Sequence, residues 1–292
     1  MTDPSRTRRE GRIAATKRLA AAGVPEAARE AEWLLAHAGG WSLAALVAGD
    51  AEPLDRDVAA RFEALVARRA AGEPLAYCTG EREFHGLAFE VTPDVLIPRP
   101  ETELLVDSAL ALDAVEPLRW VVDVGTGSGC VGVAVAVRCP AVEVLAIDLS
   151  AAALVVARRN AARHGVTGRA RFAQGDLCEP VQAAGWAGTV DLLLANLPYV
   201  ADAEAPSLQR EVLREPPGAL FAGPDGLGLL RRLTAEVPAV LRPGGTVCLE
   251  VGLNQAARVV DLLREAGCDR PQTQPDLQGI PRVVSAQRPS GR

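Results

Sequence analysis

From Arg8 to about Ala71 the apolar positions recur at helical spacing. In PEAAREAEWLLAHAGG the residues Ala31, Leu34, Leu35 and Ala38 fall on one face, with Pro25 suited to a first turn and Gly39 to a stop. In LDRDVAARFEALVARRAAG, Val58, Phe62, Leu65 and Val66 share a side, and the run ends at Gly72. These runs predict a small helical bundle over residues 1–75. Between Tyr77 and Pro100 the helical period is lost. Short β-type pieces around Phe84 to Val91, with Gly80, Gly86, Pro93, Pro98 and Pro100 as punctuation, predict a β-hairpin linker over residues 76–98. Over residues 99–292 the continuous apolar runs WVVDVG, VEVLAIDLS, ARFAQGD, VDLLLAN and GTVCLEVG alternate with helical stretches such as ELLVDSALAL, AAALVVARRNAARHG and QAARVVDLLREAG. That alternation predicts a mainly parallel α/β sheet covered on both faces, with any ligand at the carboxyl ends of its strands.

Composition narrows the class. With 292 residues, 49% of them hydrophobic and 23% charged, the chain has material for a sizeable core. A formal net charge of -6 argues against a nucleic acid as direct substrate, because binding a polyanion leaves a basic footprint. Cys78, Cys130, Cys139, Cys178, Cys248 and Cys268 form no C-x-x-C pair, and His37, His85 and His164 do not cluster with them. Neither a metal site nor a disulfide framework is therefore expected. The polar start MTDPSRTRREGR lacks a signal-peptide core, and no run approaches the ~18 apolar residues of a membrane span. The expectation is a cytoplasmic enzyme with reduced thiols and no membrane partner.

Candidate chemistry gathers at the expected strand ends. VVDVGTGSGCVGVAVA sets Gly125, Gly127 and Gly129 between a strand and a helix, where a glycine-rich turn lets a ligand approach the backbone. The spacing is G-x-G-x-G. The third glycine of a dinucleotide fingerprint would fall at Cys130, which weakens a pyrophosphate reading. Taken alone, the turn is as well explained by structure as by a ligand. Asp148 ends the next run about 20 residues on, placed either to accept from ribose hydroxyls or to prepare a helix capped by Ser150. Asp176, in AQGDLCE, is placed either to meet an adenine edge or to form an Asx turn. Three such features on consecutive strand ends are far less readily accidental than one. Their order resembles the class I S-adenosylmethionine (AdoMet) methyltransferases, with a Rossmann-like sheet, the matching string being Asp123-Val124-Gly125-Thr126-Gly127-Ser128-Gly129.

The run VDLLLAN ends on Asn196-Leu197-Pro198-Tyr199, and asparagine and proline are poor strand residues. As punctuation the segment is ordinary. In a class I methyltransferase this strand end lies beside the transferred methyl, which gives the segment a task. The Asn196 side-chain oxygen and the carbonyl of Leu197 can each accept one N–H of a planar NH2 group, Tyr199 can stack on its plane, and Pro198 stiffens the turn. Joined to GEPLAYCTGEREFHGLAFEVTPDVLIPRPETELLVD upstream, this segment looks like the HemK/PrmC family of protein-(glutamine-N5) methyltransferases that modify peptide-chain release factors.

The resemblance implies AdoMet bound at Gly125, Thr126, Gly127, Ser128, Gly129, Asp148, Asp176, Leu177 and Asn196, with S-adenosylhomocysteine as product. It implies that the glutamine of a release factor's Gly-Gly-Gln motif is held at Asn196, Leu197, Pro198 and Tyr199, with the helical domain helping to dock that protein. Two positions depart from the family pattern. Leu197 replaces a proline, keeping the carbonyl but not the rigidity, and Leu177 stands where relatives often carry an aromatic. The Asn-Leu-Pro-Tyr spelling is also similar to that of adenine N6-methyltransferases of rRNA or DNA, and the Leu197 departure leaves methylation of a small amine or amide as a further alternative. Arg99 and Glu101 fit either the floor of the site or an ion pair at a helix start. Glu250 either faces the ligand end of the sheet or leaves the strand, while His85 reads as a hairpin-surface or packing histidine and Cys130 as a helix-packing residue.

Overall fold

The computed structural model describes residues 6–291; the first five residues and Arg292, at the outer limits of the expected domains, lie outside the described residues. The chain forms two compact units. One runs to Glu81 and includes Gln209–Arg214; the other holds Arg82–Leu208 and Glu215 onward.

The first unit is helical: α1 (Arg8–Ala21), α2 (Ala27–Gly39), α3 (Leu43–Ala48), α4 (Arg56–Ala70) and α5 (Leu75–Thr79). Its helix starts follow local chemistry. Thr7 and Glu10 form a reciprocal capping box at α1, and the Asp55 carboxylate accepts from the N–H groups of Asp57 and Val58 at α4. Leu19, Leu34, Leu35, Leu46, Phe62 and Val66 fill the core, as the helical spacing predicts. Leu65, expected beside them, is only half-buried. Arg69 is buried with them, its guanidinium paired to Glu30 and, at 2.5 Å, to Glu211.

Two boundaries differ from the expectation. The linker expected from residue 76 is still helical to Thr79, since α5 opens after Pro74 and closes at Gly80, whose φ of 75° is left-handed. Residues 209–214, expected within a continuous 99–292 domain, cluster with the helices instead. The physical reason is charge: Glu211 satisfies a buried arginine whose position sequence spacing does not reveal.

The second unit begins with the hairpin β1 (Glu81–Phe84) and β2 (Leu87–Glu90), followed by a 3-10 turn at Pro100–Thr102 and α6 (Glu103–Val115). There follow β3 (Trp120–Val124), α7 (Cys130–Arg138), β4 (Glu143–Asp148), α8 (Ala151–Arg163), β5 (Ala170–Gln174), α9 (Glu179–Ala183), β6 (Val190–Ala195), α10 (Gly228–Val240), β7 (Leu241–Glu250), α11 (Ala256–Glu265), β8 (Asp269–Pro275) and β9 (Pro281–Gln287). The seven-stranded sheet has the order β5-β4-β3-β6-β7-β9-β8, and β9 alone runs against its neighbours. The expected mainly parallel α/β sheet is thus observed.

Alternation along each strand feeds two cores. Val121, Leu192 and Leu194 pack with α6, α7 and α8, whereas Val122, Leu193 and Leu249 pack with α9, α10 and α11. Each such side chain contributes about 1.5–3 kcal/mol by leaving water. The β8–β9 hairpin was not expected, because DRPQTQP is polar and proline-bearing. Its β8 strand is mostly exposed at the sheet edge, where such residues are tolerated.

Candidate active site

Register brings the candidate residues together. Val124 pairs with Ile147 on one side and Ala195 on the other, so Gly125, Asp148 and Asn196 leave three adjacent strands side by side. The order reverses at β3, where chain connections leave to opposite sides and open a crevice.

The backbone turns sharply after β3. Gly125, Gly127 and Gly129 all have positive φ (73°, 54° and 81°), which glycine adopts without penalty. The N–H groups of Gly125 and Thr126 both reach the carbonyl of Ile147 at 2.9 Å. A Cβ at Gly125 would stand 2.8 Å from the Leu197 side chain, so the turn lies directly against the residue after Asn196.

Two carboxylates, Asp123 buried and Asp148 half-buried, hold the turn. Asp123 accepts from the Thr126 hydroxyl at 2.6 Å and the Gly132 N–H at 2.9 Å, and a Cβ at Gly132 would approach this carboxylate to 2.9 Å. Burial pushes Asp123 up to about 6, with those two hydrogen bonds pulling back. Asp148 accepts from the N–H groups of Gly127 and Ser150, each at 2.8 Å. Burial raises its carboxyl above the usual range, and N–H groups oppose the rise. Ser150 caps α8, so Asp148 sits where both of its sequence readings put it.

At the next strand end Leu177 is buried in a left-handed conformation (φ 48°). The Asp176 carboxylate is engaged by Arg232 at 2.5 Å, a partner the sequence did not suggest. Asn196 Nδ2 donates to the Thr102 hydroxyl at 2.9 Å. With one of its two N–H donors taken by Thr102, Asn196 keeps Oδ1 as an acceptor for a ligand beside it. Leu197 is buried. The Tyr199 hydroxyl approaches Glu250 Oε1 at 3.4 Å, and burial raises its pKa. Glu215, also buried, accepts from the Ile97 N–H at 3.0 Å and pairs with Arg99 at 2.5 Å, tying the LIPRPETE segment to the chain that follows β6.

A cavity of about 460 Å³ opens at these strand ends. Gly125, Thr126, Gly127, Ser128, Asp148, Asp176, Leu177, Asn196, Leu197 and Pro198 line it. Gly129 and Tyr199 do not: Gly129 is the cap of α7, and Tyr199 is turned to Glu250. Sequence reasoning passed over several wall residues: Asp94, Val95 and Leu96 after the hairpin, Thr102, and Gly218 and Ala219 beyond the Asn196 loop. Leu96 and Thr102 belong to LIPRPETE itself and Asp94 and Val95 directly precede it, whereas Gly218 and Ala219 come from a loop distant in sequence.

The volume lies within the ~300–1,000 Å³ range of small-molecule sites. Its wall holds a buried hydroxyl, Ser128 Oγ, that bonds to no nitrogen or oxygen among the described residues and faces only the Cys130 thiol. A hydroxyl so weakly engaged, the carboxylate of Asp148 and the apolar Leu177 suit a nucleoside-bearing ligand such as AdoMet.

Comparison with known proteins gives a consistent result. Residues 12–80 match the family described as PrmC N-terminal domain, and residues 101–249 the methyltransferase small domain. A release factor glutamine methyltransferase of Cereibacter sphaeroides is 46% identical over 278 residues, covering 95% of this chain and 97% of that protein. One of the same description from Bordetella pertussis is 44% identical, covering 91% and 96%. Among solved structures, the hMettl16 catalytic domain in complex with a 3'UTR hairpin superposes with a TM-score of 0.56 at 14% identity, covering 80% of this chain and 82% of that one. At that identity the likeness is one of fold.

Proposed function

The chain belongs to the release factor glutamine methyltransferase family, and on that footing we propose that it transfers the methyl group of AdoMet to the side-chain amide nitrogen (N5) of the glutamine in a release factor's Gly-Gly-Gln motif. The observation that carries the reading is Asn196: its Nδ2 is held by Thr102, which leaves Oδ1 as the acceptor beside the cavity and next to the glycine turn. Bound AdoMet supplies an electrophilic methyl on its sulfonium, and Gly125, Thr126, Gly127, Ser128, Asp148, Asp176 and Leu177 are the residues that hold it.

Asn196 Oδ1 and the Leu197 carbonyl each accept one N–H of the glutamine amide. Held in this way, the nitrogen can present its lone pair to the methyl, although resonance makes that lone pair a weak nucleophile. The nitrogen would gain the methyl as the methyl's bond to sulfur breaks, leaving S-adenosylhomocysteine, and the proton lost from nitrogen would pass to solvent, so the product amide carries one N–H. Two acceptors facing the nitrogen also oppose the positive charge that grows there, a preorganised electrostatic contribution. Leu197 serves because any residue offers a backbone carbonyl, and its buried side chain packs on Gly125 where a proline ring would reach less far. The helical unit, matched by the PrmC N-terminal domain, helps to dock the release factor.

The test is transfer of labelled methyl from AdoMet to purified release factor, to the same factor with its Gly-Gly-Gln glutamine changed to alanine, and to structured rRNA. Label on the intact factor alone is expected. Label on the alanine variant or on RNA, with none on the intact factor's glutamine, would overturn the assignment.

A further inference from the structure

At the end of β7, beside the Asn196 strand, Glu250 is 1% exposed. Leu249 pairs with Ala195, so Glu250 and Asn196 are neighbours across the two strand ends. One carboxylate oxygen, Oε1, meets the Tyr199 hydroxyl; the other, Oε2, makes no hydrogen bond among the described residues, and the Thr102 hydroxyl is the further donor that faces the carboxylate. Leaving a carboxylate oxygen buried and unsatisfied is costly, and the reaction derived above does not use it.

Thr102 supplies the connection. Its side chain is buried, accepts from Asn196 Nδ2 at 2.9 Å and acts on Glu250 to stabilise the charged form. A hydroxyl has one proton to give, and an ionised carboxylate can only accept. With Glu250 ionised, polarity therefore runs one way: the Thr102 O–H turns to Glu250, the Thr102 oxygen accepts from Asn196 Nδ2, and Asn196 Oδ1 is left for the acceptor amide. A protonated Glu250 can donate toward Thr102, whose own proton is then free to point at Asn196. The Asn196 amide can now turn over, presenting N–H groups to the N–H groups of a glutamine.

Resting on the reading of Asn196 given above, we propose that Glu250 is a positioning residue for methyl transfer, fixing through the Thr102 hydroxyl which end of the Asn196 amide faces the substrate. The groups that face Glu250 are the hydroxyls of Thr102 and Tyr199, Glu101, Arg282 and, from α7, the Cys130 thiol. Burial is the largest influence and Glu101 adds to it, while the two hydroxyls and Arg282 oppose it; together they place the carboxyl at about 7. Positioning is thus switched by a proton near neutrality.

The test compares wild type, Glu250→Gln, Thr102→Val and Asn196→Ala in methyl transfer to release factor across roughly pH 6–9, with AdoMet affinity and thermal unfolding measured in parallel. Glutamine offers a donor end and an acceptor end and carries no charge, as the protonated carboxyl does. Glu250→Gln is therefore expected to hold the low-pH rate of the wild type at every pH, with kcat down roughly tenfold on the alkaline side, as loss of one orienting hydrogen bond would give. AdoMet affinity should be unchanged, and the rise in wild-type kcat through about 7 should be missing. Thr102→Val should lose a similar factor, and a variant combining Glu250→Gln with Thr102→Val no more than either single one. Should Glu250→Gln fail to fold, Thr102→Val carries the test alone. Wild-type kcat with an intact pH rise in either variant overturns the relay. Wild-type turnover in Asn196→Ala would instead overturn the reading of the site on which the relay rests.

Discussion

Glu250 sets residue-scale function against stability. Its folded-state pKa of about 7 lies above the ordinary 4.5, so the folded state binds the proton more tightly than the unfolded chain does. Its contribution to stability is complete below about 4.5 and is lost as pH rises through about 7. Asp123, raised from 3.8 to about 6, has the same sign in a lower window. Denaturant unfolding should show stability falling across both windows, and Glu250→Gln should flatten the part between about 6 and 7; an unchanged slope there would mean the buried carboxyl titrates elsewhere. The cofactor and acceptor halves of the site should also separate. Asp148→Ala is expected to weaken AdoMet binding by about tenfold or more, as loss of a charged hydrogen-bond acceptor would, while Asn196→Ala lowers kcat with AdoMet affinity nearly unchanged. Equal effects of both substitutions on both quantities would contradict that division. Leu197→Pro should retain activity on the release factor, because the accepting carbonyl remains; abolished transfer with intact AdoMet binding would count against a glutamine acceptor.

At the scale of elements, the parallel register of β4, β3, β6 and β7 does most of the assembly. It delivers Asp148, Gly125, Asn196 and Glu250 to one end of the sheet without any of them being near another in sequence. Gly125 has to be small for two independent reasons, its positive φ and the Leu197 side chain 2.8 Å from any Cβ. Gly125→Ala is expected to cost about 1–2 kcal/mol from the backbone conformation, more if Leu197 cannot yield, and to weaken AdoMet binding in calorimetry. In the helical unit, α2, α4 and the 209–214 segment meet at Arg69, which two glutamates neutralise. Arg69→Ala would leave Glu30 buried without its cation, and a loss of about 3–5 kcal/mol on urea unfolding is expected. A loss below about 1 kcal/mol would mean that water reaches Glu30 in the folded state.

For the whole molecule, ligand and fold are linked. S-adenosylhomocysteine at about 100 times its Kd should stabilise the native state by roughly 2.7 kcal/mol, and the shift should shrink in Asp148→Ala at the same ligand concentration. Among the described residues no helix is long and apolar enough to cross a membrane. By itself the sequence determined the helical start of the chain, the alternation that builds a parallel sheet, the glycine turn and the Asn196-Leu197-Pro198-Tyr199 segment, because each is written in local periodicity or in adjacent residues. It also placed Asp148 at a strand end, where the structure finds it. Only the tertiary structure decided that Asp176 is held by Arg232, that Tyr199 turns to Glu250 instead of lining the cavity, and that Gln209–Arg214 joins the helices. Only it could link Thr102, Asn196 and Glu250, which lie on a 3-10 turn, just past the end of β6 and on the last residue of β7. The reason is physical: a hydrogen-bond partner or a buried charge depends on which distant surfaces close over it, and local periodicity says which face is buried but not what it is buried against.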